Sequence, residues 1–278
     1  MPENASLLRQ FDQLALLGIP FDDNSSFEKG PAQAPAVIKE VLAHGSLNKG
    51  TELGINLNDN SCWQVANDIT FSEDMHFNTR IEQVVEQHLS ERRLLLSLGG
   101  DHSVSYPIIS AYAKHFSKLN ILHIDAHSDL YDSFKGNRFS NACPFARVME
   151  DGLCQRLVQV GIRTLNQHQI DQADKFGVEM HEMRAWPLVQ PLSFDGPVYV
   201  SLDIDGIDPA FAPGVSHREP GGLSTREVIR LIHEIDAPVV GGDIVEFNPK
   251  RDIDGLTAQV AAKLTKELAG KIISSTLL

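Results

Sequence analysis

Three acidic, histidine-bearing segments each follow an apolar, strand-like run, and this feature constrains the fold more than any other. The segments are residues 99–103 (GGDHS), 125–129 (DAHSD) and 203–209 (DIDGIDP). Charged side chains are almost never buried without a partner, and strand ends in an α/β sheet lie partly inside the fold. The pattern therefore predicts that the carboxyl ends of several strands converge on bound cations, at a metal site.

The rest of the chain predicts a mostly parallel sheet. Short β-type runs alternate with helical patterns, which is typical of a sheet that is covered by helices on both faces. Capping boxes predict helix starts at Thr79–Glu82 and at Ser224–Glu227. An apolar stripe predicts that the last helix packs on the sheet through Leu256, Val260, Leu264 and Leu268. The predicted strands span residues 15–18, 93–98, 121–124, 157–160, 197–202 and 238–241.

No linker or low-complexity stretch divides the chain, so the sequence predicts a single α/β catalytic domain over residues 1–278 with a three-layer αβα architecture. The polar, glycine-containing stretch 131–144 directly follows one of the acidic segments. Loops at the carboxyl ends of strands usually build the site, so this stretch is expected to form part of a pocket wall.

Composition excludes several classes of partner. The formal net charge is −13, which speaks against nucleic acid or an anionic membrane because both would repel such a surface. The three cysteines are odd in number and widely spaced, which indicates a reducing compartment. The start of the chain lacks the basic and apolar regions of a signal peptide. We therefore expect a cytoplasmic protein.

The chemistry of the donors indicates two metal ions. Alternate side chains of an extended segment share a face, so Asp125, His127 and Asp129 can converge, and Asp203 and Asp205 follow the same rule. With His102 they supply four carboxylates and two imidazoles, too many donors for one zinc ion. An oxygen-rich set without sulfur suits manganese, and a pair of divalent ions can activate one water molecule.

These segments resemble a known family, the ureohydrolases, which include arginase, agmatinase and formimidoylglutamase. The similarity begins at residues 18–22 (GIPFD) and ends at residues 243–249 (DIVEFNP), so it covers nearly the whole chain. Residues 145–150 and 208–224 are most similar to the plant-type arginases. The resemblance implies a binuclear manganese amidinohydrolase, which converts a small guanidino compound to urea and an amine by means of a metal-bridging hydroxide.

The resemblance also implies roles for individual residues. His102, Asp125, Asp129 and Asp203 would hold one manganese ion. His127, Asp125, Asp203 and Asp205 would hold the other, so that Asp125 and Asp203 bridge the pair. Asp129 would in addition orient the nucleophile, and Glu246 would bind the guanidinium group of the substrate. The family further implies a homotrimer or a homohexamer.

One residue departs from the family pattern. Plant-type arginases and agmatinases carry a proposed proton-shuttle histidine where this chain has Asn141. Asparagine does not titrate near pH 7, whereas histidine does. Asn141 can still form hydrogen bonds to a substrate, and we include it among the candidate catalytic and substrate-binding residues. Its presence leaves open a second hypothesis, a metal-binding homologue with weak or no activity.

The substrate is the least constrained property. The segment 161–166 (GIRTLN) lacks the acids that animal arginases use to hold an α-amino group, which disfavours that branch. Arginine and agmatine are favoured over formimidoylglutamate, because the plant-type stretches do not match the formimidoylglutamase branch. His217 and Arg218 are candidates for the pocket entrance, although solvated loop positions are the more common outcome for such residues. A mononuclear zinc deacetylase of related fold is a third hypothesis.

Overall fold

The computed structural model describes residues 10–277, which contain eight strands and seven α-helices. The strands form one sheet in the order β2-β1-β3-β8-β7-β4-β5-β6, and every neighbouring pair is parallel. The strands are β1 (Gln13–Gly18), β2 (Trp63–Val65), β3 (Arg93–Leu98), β4 (Asn120–Ile124), β5 (Arg156–Ile162), β6 (Glu179–Glu182), β7 (Val198–Asp203) and β8 (Val239–Val245).

Helices cover the sheet in two groups, as the predicted three-layer αβα architecture requires. One group contains α1, α6 and α7, which contact one another through α7, and the other contains α2 to α5, packed in chain order. The helices are α1 (Ala34–His44), α2 (Phe77–Ser90), α3 (Ser105–His115), α4 (Pro144–Glu150), α5 (Gln167–Phe176), α6 (Thr225–His233) and α7 (Leu256–Ile272). None of the helices in residues 10–277 has both the length and the apolar character that crossing a membrane requires.

The six predicted strands are present, and two more lie at the sheet edges. The edge strands β2 and β6 escaped prediction because they are short and only partly buried, so they lack an apolar run. The strand predicted at residues 238–241 continues to Val245. This extension carries Asp243 into the buried centre of the sheet, where strands β3 and β7 flank β8.

The observed helix starts confirm one of the two predicted capping boxes and contradict the other. Ser224 accepts a hydrogen bond from the Glu227 amide while the Glu227 carboxylate accepts one from the Ser224 amide, as predicted. The prediction for Thr79–Glu82 is wrong, since α2 begins at Phe77 and Thr79 lies inside it. In the last helix Leu264 and Leu268 are fully buried, whereas Leu256 is 47% exposed, so the predicted stripe packs along only part of its length.

Candidate active site

The three acidic segments meet at the carboxyl edge of the sheet. Strand β4 leads into Asp125–Asp129, strand β7 ends at Asp203, and a short 3-10 turn after β3 carries His102. These strands lie near one another at the centre of the sheet, with β8 between β3 and β7. Five of the six predicted ligands are buried, as are Asn141 and Glu246, whereas His127 is partly exposed. The buried ligands are His102, Asp125, Asp129, Asp203 and Asp205.

The side chains around His102 are those of a cation site. Its Nδ1 atom lies 3.2 Å from Oδ2 of Asp125 and 3.1 Å from Oδ2 of both Asp129 and Asp203. Among the described residues this buried nitrogen has no well-aligned hydrogen-bond partner. A single N–H cannot satisfy three carboxylates. The cluster therefore has the ligand atoms of a cation site, but it lacks the positive charge that would stabilise three buried carboxylates. A divalent cation fits that deficit.

A second group lies beside the first and shares Asp125. His127 Nδ1 is 3.4 Å from Oδ1 of Asp125 and 3.2 Å from Oδ2 of Asp205. These three side chains can present one donor atom each to a common ion. The structure therefore brings all six predicted ligands together in two adjacent groups that share a carboxylate.

The route by which the second segment converges differs from the one expected. Residues 125–129 lie beyond the end of β4 and are not a regular strand. Asp129 has a φ of 50°, in the left-handed region that non-glycine residues rarely occupy. The alternation of side chains along an extended strand is thus the wrong explanation for the convergence of these residues. The turn at Asp129 directs its carboxylate toward His102. Glu246 has a φ of 61°, so two candidate catalytic acids carry the same backbone strain.

Burial and like charges set the ionisation of the acids. Burial raises the pKa of Asp203 well above its ordinary value, and the charges of Asp205 and Asp125 add to the effect. Burial and the Asp125 charge raise the pKa of Asp129 to about 6, although His102 opposes them. Burial alone would lower the pKa of His102, yet the surrounding carboxylates raise it well above its usual range. The cluster thus favours positive charge at its centre.

Several supporting residues went unrecognised in the sequence. His102 Nε2 is 3.0 Å from the Ser201 hydroxyl, which donates to Asp243 at 2.7 Å. His123 contacts Oδ2 of Asp125 through Nε2 at 2.8 Å and the Gln159 amide through Nδ1 at 2.9 Å. Polar residues inside apolar strands were the available signal. Burial lowers the pKa of His123 to about 4, so the ring is neutral at pH 7.

His123 also forms a possible metal-binding triplet with His102 and Asp125. Both of its ring nitrogens already have partners in Asp125 and Gln159. A hydrogen bond of this kind to a carboxylate is the usual way to fix the orientation of a metal ligand. The arrangement favours His123 as a support for Asp125 over His123 as a ligand.

Glu246 and Asn141 lie together beside the metal-ligand group. The Asn141 amide donates to Oε1 of Glu246 at 2.9 Å, and the backbone N–H of His102 donates to the same oxygen at 2.9 Å. Burial and the charge of Asp101 raise the pKa of Glu246 to about 8, while the bond from Asn141 opposes the rise. A bound cationic group would compensate the cost of ionising this buried acid.

A cavity of about 390 Å³ opens beside these groups. The 131–144 loop contributes Tyr131, Phe134 and Asn141 to its wall, which confirms the prediction for that stretch. His217 also lines the cavity, whereas Arg218 is exposed and bonds to the carbonyls of Pro213 and Arg251. Only the first of the two entrance candidates is therefore placed at the site. The remaining wall includes Ser26, Thr164, Leu165, Asn166 and Gln169.

A parallel sheet that carries buried acids and histidines grouped at its carboxyl edge is typical of an α/β protein with a metal site. The chain belongs to the Arginase family, whose family model matches residues 12–270. Enzymes of this family hydrolyse C–N bonds of guanidino compounds and depend on a binuclear metal centre, and this chain is such a hydrolase.

Individual relatives support the plant-type resemblance. The chain is 47% identical to "Arginase 1, mitochondrial" of Arabidopsis thaliana, over 93% of this chain and 80% of the relative. The structure of the arginase from Medicago truncatula has a TM-score of 0.89 at 41% identity, covering 98% of this chain and 92% of that one. Other activities occur among the relatives. The human "Guanidino acid hydrolase, mitochondrial" is 32% identical over 91% of this chain and 76% of its own length.

The expectation of a cytoplasmic protein is wrong by the same comparison. The Arabidopsis relative is named mitochondrial, and a second Arabidopsis arginase is named chloroplastic/mitochondrial, with 43% identity over 93% of this chain and 80% of the relative. These names point to an organelle. The expectation failed because the cysteine pattern indicates only a reducing environment, which does not distinguish the cytosol from other reducing compartments.

Proposed function

We propose that this chain is a dimanganese ureohydrolase that converts a guanidino compound, arginine foremost, to urea and an amine. The observation that carries the proposal is the adjacency of two acid–histidine groups that share Asp125, with the buried carboxylate of Glu246 beside them. The two acid–histidine groups supply ligands for two cations. Glu246 supplies the negative charge that a guanidinium group needs.

The assignment of ligands follows the family pattern. His102, Asp125, Asp129 and Asp203 would hold one ion, and His127, Asp125, Asp203 and Asp205 would hold the other. An oxygen-rich set without thiolates favours manganese over zinc. When bound, a pair of divalent ions would supply the chemistry that activates a water molecule as the nucleophile.

The protein's own groups then position the reactants. Asp129 accepts a proton from the attacking water and orients its oxygen toward the guanidinium carbon. Glu246 binds the guanidinium N–H groups by charge-assisted hydrogen bonds. The new C–O bond forms and the bond from the central carbon to the alkyl nitrogen breaks. Both protons of the water end on the alkyl nitrogen, so the amine leaves as an ammonium ion and urea is neutral.

Arginine is the favoured substrate because the plant arginases are the relatives with the highest identity reported above. The part of the cavity wall contributed by residues 164–169 is formed by neutral side chains such as Thr164, Asn166 and Gln169. Such a wall supplies hydrogen bonds but no full charge to select one substrate end group, so agmatine and guanidino acids stay as alternatives. Asn141 in place of a histidine supports the second candidate, a homologue with weak activity.

One experiment separates these hypotheses. Metal analysis of the purified protein is combined with a urea assay on arginine, agmatine and guanidinobutyrate, and with a formamide assay on formimidoylglutamate. We expect about two manganese ions per chain and the fastest urea release from arginine. A single zinc ion per chain would support the deacetylase hypothesis, and two bound ions without turnover of any compound would support the inactive homologue.

A further inference from the structure

Asn141 connects the carboxylate of Glu246 to a separate loop of the chain. Its Oδ1 accepts a hydrogen bond from the backbone N–H of Ser26 at 2.9 Å, while its Nδ2 donates to Oε1 of Glu246 at 2.9 Å. Its own backbone N–H donates to the carbonyl of Asn24 at 3.1 Å. The side chain is 7% exposed. The side-chain amide of Asn141 thus uses one donor and one acceptor. Each of the two partners, Ser26 and Glu246, lies more than a hundred residues from Asn141 in the sequence.

The two oxygens of Glu246 have different environments. Oε1 accepts from Asn141 and from the backbone N–H of His102. Within residues 10–277, the hydrogen bonds of this carboxylate all go to Oε1, and the side chain lines the cavity. Two lone-pair directions of Oε1 are therefore occupied, whereas Oε2 keeps its acceptor capacity for a ligand.

From this asymmetry we infer that Asn141 is a positioning residue: it fixes the rotation of the Glu246 carboxylate, so that Oε2 is presented to the guanidinium group of the substrate. The inference rests on the proposed function and goes beyond it, because it replaces a proton-shuttle role at this position with a geometric one. An amide suits the task, since it offers one donor and one acceptor about a rigid plane and does not titrate.

The two roles predict different kinetics. A hydrogen bond to a guanidinium group exists before and during the reaction, so disturbing it raises KM more than it lowers kcat. A group that transfers protons acts in the transition state and changes kcat and its pH dependence. The split between KM and kcat therefore separates positioning from proton transfer.

The test compares Asn141→Ala with Asn137→Ala in the manganese-loaded enzyme. Asn137 is a matched control because it lies in the same loop, is partly buried, and donates from its own amide to Asn24 Oδ1 at 3.0 Å without contacting Glu246. For Asn141→Ala we expect KM for arginine to rise about tenfold, the scale of one charge-assisted hydrogen bond, and kcat to fall less than threefold. For Asn137→Ala we expect KM within twofold of wild type.

Two further variants complete the design. Asn141→Ser retains a hydroxyl that is too short to reach both partners, so it should behave as Asn141→Ala does and serves if that variant fails to fold. Asn141→His can donate from a neutral ring and should keep KM within threefold of wild type. Calorimetric titration of the metal-free protein with arginine measures binding without turnover, and the dissociation constant should follow KM in each variant.

The outcomes are distinct. If wild-type enzyme releases urea from no guanidino compound, the proposed function fails. The positioning role alone is overturned if wild type is active and Asn141→Ala lowers kcat at unchanged KM, or if Asn137→Ala raises KM equally.

Discussion

Replacing Asp125 with asparagine should remove most of the stabilisation that manganese confers. Asp125 is the carboxylate that contacts both of the predicted histidine ligands. Its Oδ2 lies 3.2 Å from His102 Nδ1, and its Oδ1 lies 3.4 Å from His127 Nδ1. Asparagine has nearly the same shape but lacks the charge and one of the two oxygens. Both cation sites therefore lose a ligand through a single substitution.

The magnitude follows from ligand linkage. A ligand that binds only the folded state stabilises it by about 2.7 kcal/mol when its free concentration is 100 times its dissociation constant. Two sites then give about 5 kcal/mol, which corresponds to a rise in Tm of about 10–20 °C for a chain of roughly this size. We expect this rise in wild type and a rise below about 5 °C in Asp125→Asn.

The assay is a thermal melt of metal-free protein with increasing manganese, together with metal analysis after desalting. Asp132→Asn is the control, because Asp132 follows closely in sequence and its side chain is 57% exposed outside the ligand groups. The control should retain about two ions per chain and the full shift. An Asp125→Asn protein with two tightly bound ions and an undiminished shift would refute the shared-ligand reasoning.

Three other predictions concern separate parts of the molecule. Glu246→Gln should raise KM for the substrate about 10- to 100-fold in steady-state urea assays, because a charged hydrogen-bond partner contributes about 1.5–3 kcal/mol; an unchanged KM would exclude the assigned role. Ser224→Ala should lower the free energy of unfolding by about 1 kcal/mol in urea denaturation, since it removes the N-cap bond to the Glu227 amide; no loss would mean that the cap is not a net stabiliser. Hydrogen bonds from Arg226 and Lys263 lower the pKa of Glu52 from 4.5 to about 2, so its contribution is complete above pH 4.5 and is lost as the pH falls toward 2. The stability difference between wild type and Glu52→Gln should narrow over that range and stay below about 1 kcal/mol, because Glu52 is 37% exposed; a difference that widens with acid would contradict this sign.

Sequence patterns predicted the parallel sheet and the meeting of the ligand segments because both depend on local features. Apolar runs identify buried strands, and parallel strands bring their carboxyl ends to one edge. His102, Asp125 and Asp203 follow such runs directly, so their proximity could be inferred without knowing the strand order.

Other features depend on contacts that a linear pattern does not contain. The left-handed turn at Asp129 and the bonds of Asn141 to Ser26 and Glu246 arise from how separate loops pack. The edge strand β6 (Glu179–Glu182) forms by pairing with β5, since three of its four residues are polar and all four are only partly buried. His123 was missed because one histidine in an apolar strand is compatible with many environments.

The strand order has a consequence for how this protein must be made. Strand β8 comes last in the chain, yet it lies between β3 and β7 and joins the two halves of the sheet. Until residues 239–245 have left the ribosome, β3 and β7 each present an unpaired apolar edge, which is a template for wrong association. A nascent chain stopped short of β8 would therefore lack both Glu246 and the strand that unites the ligand segments. Such a chain needs protection from aggregation, and metal cannot replace that protection because the ligand segments are not yet joined.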